Sequence, residues 1–191
     1  MPVTTLDPKT ALVVIDLMNG IRAIPGEPYP TDDVITRSAE LADAFRKHDL
    51  PVVLVRVSFS ADGADSIPGR TETAPRPGGE RPDNADEFVD QLAGHPEDIV
   101  VTKRNWGAFH GTDLDVHLRR RGITQIVLTG VATSIGVEST ARAAFEHGYN
   151  VTLATDTMTD LAADAHDHSV AWVFPRLGET GTTAEILSLL G

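Results

Sequence analysis

The chain has 191 residues, 41% of them apolar and 23% charged, which is the make-up of one globular domain with a substantial core. A formal net charge of -12 argues against nucleic acid or an anionic membrane surface as a partner, and no segment approaches the roughly 20 apolar residues of a membrane span. There is no cysteine, which excludes a thiolate nucleophile, a disulfide framework and a Cys-ligated metal.

Residues 11–16 (ALVVID) read as a strand of the fully buried type, apolar on both faces. Residues 32–47 place Val34, Ile35, Leu41, Ala42 and Phe45 at helical spacing. Residues 51–57 (PVVLVRV) form a second strand with Arg56 near its end. Residues 60–84 are rich in Gly and Pro, carry Arg70, Arg76 and Arg81, and show no periodicity. A loop this long inside a compact domain is commonly functional, so the segment reads either as a solvated loop or as a lid or subunit contact. Residues 99–102 are a third strand, followed by a helix over 112–121 with a cap at Thr112 and a stop at Gly122. Residues 125–129 (QIVLT) are a fourth strand and 137–147 a helix closed by Gly148. A fifth strand over 151–155, a helix over 163–174, a short sixth strand over 178–181 and a helix over 183–190 complete the chain.

This alternation specifies a three-layer α/β/α, Rossmann-like fold in a single domain over 1–191, with a mainly parallel sheet of about six strands. In such sheets ligands bind beyond the carboxyl ends of the strands. That rule selects Asp16, Arg56, Lys103 and the turn after Gly130, which bring an acid, two bases and a tight turn to one edge.

Three motifs then carry a resemblance. Residues 130–142 (GVATSIGVESTAR) follow an apolar strand and open a helix, and they resemble the active-site turn of the isochorismatase-like hydrolases. Residues 103–114 (KRNWGAFHGTDL) resemble that family's lysine motif, including Ala108-Phe109 and Thr112-x-Leu114. Asp16-Leu17-Met18-Asn19 is similar to its opening Asp-x-Gln-Asn, with Met18 departing at the glutamine. The resemblance runs from Ala11 to about Arg176 and is weakest over 60–84. It implies catalytic positions at Asp16, Lys103 and Gly136. The amidase members have a nucleophilic cysteine at the position of Gly136, and a smaller branch with glycine there cleaves a vinyl ether without a covalent intermediate. The family's turn often contains a non-proline cis peptide, which falls at Val131–Ala132 in this chain. Isochorismate-cleaving members usually carry an aromatic residue near Ala132 and a histidine near Ser134, so the ring-binding side differs here.

The chemistry suits this set of residues. Cleaving an enolpyruvyl ether such as isochorismate, with release of pyruvate, requires a general acid for the vinyl carbon and water for the oxocarbenium ion that results. Asp16 serves as that acid if burial keeps it protonated against Lys103, which orients the carboxyl or binds a substrate oxygen. Gly136 leaves room for the enolpyruvyl group, and the helix beginning near Ile135 offers N–H groups to a carboxylate. Arg56 or Arg70 is expected to hold a second carboxylate. Val131, Ala132 and Ile135 are expected to contact substrate, and Trp106 and Phe109 are either pocket wall or core.

Two other readings stay open. Ser134 with Asp156 and His166 or His168 follows the serine–acid–histidine order of a nucleophile elbow, one residue away from its Gly-x-Ser-x-Gly pattern. Loss of the cysteine also fits a non-catalytic ligand-binding or assembly member of the family. A metal site is not expected, since no histidine occurs between His48 and His95 and His166-x-His168 points to two sides of a helix. No cofactor is expected. The expected partners are a small-molecule substrate and further copies of the chain, with no nucleic acid and no membrane, in the cytoplasm.

Overall fold

A computed structural model describes residues 2–67, 69–72 and 82–191. Six strands form one sheet in the order β3-β2-β1-β4-β5-β6, with every neighbouring pair parallel. They are β1 (Thr10–Ile15), β2 (Val52–Val57), β3 (Ile99–Lys103), β4 (Gln125–Val131), β5 (Asn150–Thr159) and β6 (Glu179–Gly181). The longer helices are α2 (Thr31–Lys47), α3 (Leu114–Arg120), α4 (Glu138–Glu146) and α6 (Thr183–Leu190), with short α1 (Asn19–Arg22) and α5 (Ala163–His168) between them. This is the expected three-layer α/β fold. Among the described residues no helix is long and apolar enough to cross a membrane.

The strand pattern explains the layers. All six residues of β1 are buried, as its central place between β2 and β4 requires. Ala11, Val13 and Ile15 point into one core with Leu114, Leu118, Ala141 and Phe174. Leu12 and Val14 point into the other with Val34, Ile35, Leu41 and Phe45 of α2 and Ile186 of α6. A strand with apolar residues on both faces therefore signals a sheet with helices on both sides.

Local signals set several ends. Helix α6 opens on a complete capping box, in which Thr182 Oγ1 accepts from the Glu185 N–H while Glu185 accepts from the Thr182 N–H. At α2, Asp32 and Asp33 occupy the first turn and Arg46 and Lys47 the last, each charge matched to the helix dipole. The cap expected at Thr112 is corrected: α3 starts at Leu114 with Asp113 as its N-cap and no side-chain capping bond, and Thr112 Oγ1 accepts from the Leu114 N–H at 3.2 Å in the preceding turn.

Three further expectations on the elements need correction. The fifth strand runs to Thr159 and bulges: Leu128 pairs with Leu153, whereas Gly130 pairs with Met158. The bulge lets β5 follow β4 to the site end of the sheet. The helix expected over 163–174 is broken into α5, a π-turn at Ser169–Val173 and a 3-10 turn at Phe174–Arg176, where Pro175 removes an N–H. A second π-turn, Thr133–Val137, precedes α4. Of the long loop, residues 68 and 73–81 lie outside the described residues, Arg76 and Arg81 among them; its described part holds neither helix nor strand.

Candidate functional site

The strand order reverses between β1 and β4, since β1 connects outward to β2 and β3 and β4 to β5 and β6. A crevice opens at the carboxyl ends where such a reversal occurs. Asp16 leaves β1 at this point, Lys103 ends β3, and the turn after Val131 leaves β4.

Asp16 has φ 55°, a left-handed conformation that aspartate tolerates better than most residues. Its N–H still donates to the Val55 carbonyl at 2.9 Å, and its own carbonyl accepts from Met18 at 2.9 Å. The chain therefore turns sharply off the sheet at Asp16. Lys103 Nζ approaches Asp16 Oδ2 at 2.7 Å, with the two side chains 2% and 9% exposed. Lys103 also donates to the Trp106 carbonyl. Asp16 Oδ1 is buried and, among the described residues, lacks a hydrogen-bond partner within bonding geometry. Burial pushes the Asp16 carboxyl up to about 6, against the opposing pull of Lys103. An acid at the centre of the site is thus held closer to neutrality than an ordinary aspartate.

The third side is the turn after β4. Gly130 has φ 118°, and a Cβ there would stand 2.1 Å from the Ile15 carbonyl oxygen, so only glycine lets β4 run against β1 at this level. The Val131–Ala132 peptide is cis, at the bond the resemblance singled out. The Ala132 carbonyl accepts from both Ile135 and Val137, the second closing the π-turn. Two buried groups hold the turn from behind. Asp160 Oδ2 accepts from the Ser134 N–H at 2.6 Å, and His166 Nδ1 lies 2.9 Å from Thr133 Oγ1. Burial lowers the His166 pKa, which favours the neutral ring. Thr140 Oγ1 donates to the Gly136 carbonyl and accepts from the Ala108 N–H, tying the turn to the segment that follows Lys103.

These elements enclose a cavity of about 210 Å³. Asp16, Lys103, Gly136, Val131, Ala132, Ile135 and Trp106 all line it. Ile21, Ile24, Val57, Asn105 and Leu161 complete the wall. A Cβ on Gly136 would come within 3.1 Å of Ile15 Cγ2, 3.2 Å of Lys103 Nζ and 3.4 Å of Asp16 Oδ2. Among the described residues three larger hollows, of about 290, 310 and 360 Å³, lie elsewhere. In two of them a carboxylate is already engaged, Asp98 by Arg46 at 2.6 Å and the half-buried Asp7 by Thr124 and Asn150.

Three expected residues fall outside this wall. Arg56 donates to Thr102 Oγ1 at 3.1 Å and lies over the Phe88 ring, so it serves the sheet edge. Arg70 is exposed and does not line the cavity. Phe109 is core: it is buried, with ring centroids 5.1 Å from His147 and 6.0 Å from Tyr149. Met18 is buried and bridges to Phe88, which accounts for an apolar residue at that place. The serine arrangement is not assembled. Asp156 takes the N–H and hydroxyl of Thr183, His166 takes Thr133, and His168 is exposed.

Sequence reasoning missed Leu161, although the rule of strand ends would have found it just past β5. It also missed Asn105, which sits inside the lysine motif. Asp160 gave no local signal, and His166 was read only as a possible triad partner, because both act from behind a turn distant in sequence.

A site at the switch point of a parallel sheet defines an α/β enzyme class, and comparison with known proteins agrees. The isochorismatase domain model matches residues 10–185. An uncharacterized isochorismatase family protein, YecD of Escherichia coli O157:H7, is 45% identical over 181 residues, covering 95% of this chain and 96% of its own. Ureidoacrylate amidohydrolase RutB of Methylobacterium radiotolerans is 30% identical, covering 97% of this chain and 81% of its own. A solved isochorismatase family protein from Burkholderia thailandensis superposes with a TM-score of 0.92 at 48% identity, covering 97% of each chain. The chain belongs to the isochorismatase family of hydrolases.

Proposed function

We propose that this protein hydrolyses a small carboxylate-bearing vinyl ether, an enolpyruvyl ether such as isochorismate, by general-acid catalysis without a covalent intermediate. The observation that carries the reading is Asp16: a buried carboxyl with one oxygen unpaired among the described residues, bordering the cavity, beside a position that holds glycine where the amidases of the family hold their nucleophile. A carboxyl held near neutrality by burial is a competent acid at physiological pH.

Protonated Asp16 gives its proton to the terminal vinyl carbon, and the ether carbon becomes an oxocarbenium ion. Water adds to that carbon and returns a proton to Asp16. The hemiketal collapses to pyruvate and the free alcohol, so one water is consumed and no side chain is alkylated. Lys103, fixed by Asp16 and the Trp106 carbonyl, carries the positive charge that holds the substrate carboxylate. The apolar wall of Ile21, Ile24, Val131 and Leu161 excludes bulk water and strengthens that attraction.

Pyruvate release from isochorismate and from 2-methoxyacrylate, the simplest enolpyruvyl ether, tests the reading. Wild type is expected to release pyruvate from at least one of them, and Asp16→Ala to lose the activity by about a hundredfold or more. Equal rates in both proteins, or no release from either compound, would overturn it.

A further inference from the structure

The charge carried by the cavity is as informative as its shape. Among the described residues, Lys103 is the single cation that lines it and Asp16 the single anion. The other hydrogen-bonding side chains in the described wall are neutral: Trp106, whose indole N–H is a donor, and Asn105, whose amide nitrogen donates to the His110 carbonyl at 3.2 Å. Its amide oxygen is the acceptor left over. The two arginines expected to hold a second carboxylate lie elsewhere, one at the sheet edge and one in the loop.

With Asp16 ionised, the pair is neutral and an entering carboxylate meets a lysine already satisfied at 2.7 Å. With Asp16 protonated, the ammonium is released for the ligand and the carboxyl adds a donor. Among the described residues no charged group other than Lys103 acts on Asp16; the Val57 backbone N–H and the glycine at 136 also lie against it. We propose that the substrate is a small monoanion, with one carboxylate on a compact uncharged body, and that it binds Lys103 while Asp16 takes up a proton. The same proton is then in place for transfer to the vinyl carbon. This rests on reading the Asp16–Lys103 cavity as the substrate site. It narrows the substrate to an enolpyruvyl ether of an uncharged alcohol, and so away from isochorismate with its two carboxylates, because among the described residues the wall offers a second carboxylate no second cation.

Binding of unreactive probes tests this apart from turnover. Titration calorimetry at pH 7, in phosphate and in Tris, compares benzoate, phthalate and benzamide on the whole chain. Benzoate is expected to bind with uptake of about one proton, and its affinity to fall about tenfold per pH unit above about 6, as the competent fraction falls. Phthalate and benzamide are expected to bind about tenfold more weakly or worse. Asp16→Asn is expected to bind benzoate without proton uptake and without that pH dependence. Phthalate or benzamide equal to benzoate, benzoate binding with no proton uptake by wild type, or no benzoate binding at all would each overturn the proposal. Benzoate binding as described, in a protein that cleaves no vinyl ether, would sink the proposed reaction and leave the monoanion site standing.

Discussion

Gly136 shows how one missing side chain shapes the site. Its φ lies outside the left-handed region, so the backbone itself would accept alanine. The obstacle is space, because the added Cβ would press on Ile15 and on both partners of the Asp16–Lys103 pair. Gly136→Ala is therefore expected to fold, with a stability loss of about 1–3 kcal/mol. Its turnover of an enolpyruvyl ether is expected to fall about tenfold or more as the pair is displaced. Unchanged turnover in that variant would mean that the position of the pair is not critical. The motifs made Asp16, Lys103 and Gly136 legible in the sequence. They left Phe109 ambiguous, because an aromatic residue next to a catalytic lysine serves equally as wall or as core. Only the packing of its ring against His147 and Tyr149 resolved that.

At the scale of elements, the site depends on strand ends and turns, and the helices act mainly as supports. The π-turn Thr133–Val137 is the clearest case, since π-bulges occur often at functional sites. It is held by Asp160 at the end of β5 and by His166 on α5, neither of which touches the cavity. Helix α6, by contrast, packs Ile186 into the core on the α2 side and starts at a capping box remote from the site. Thr182→Ala is expected to lower stability by about 1 kcal/mol in urea denaturation and to leave activity unchanged. A loss of activity there would imply that α6 is coupled to the site. The sequence missed the two π-turns because apolar periodicity does not distinguish a π-turn from the α-helix it interrupts.

For the molecule as a whole, the buried acid links function to stability. Asp16 titrates near 6 in the folded chain against an ordinary value of 3.8, so between those values the folded state keeps a proton the unfolded state has lost. Its contribution to stability therefore falls as pH rises through that window, by about 3 kcal/mol in full. Asp16→Asn mimics the protonated carboxyl. It is expected to match wild type in unfolding free energy at pH 4 and to exceed it by up to about 3 kcal/mol at pH 8, while losing activity at both. A variant less stable than wild type at pH 8 would show that Lys103 stabilises the ionised form more than burial opposes it. The amino-acid sequence by itself determined the alternation of strands and helices, the two-faced apolar character of β1 and the absence of a thiol, because these follow from periodicity and composition along the chain. It also located the acid, the lysine and the glycine turn at strand ends. Only the tertiary structure decided that these meet at one cavity, that Arg56 and Arg70 stay out of its wall, and that Asp16 sits buried beside Lys103. Those facts depend on strand order, register and burial, which are set by contacts between segments far apart in sequence and have no local pattern.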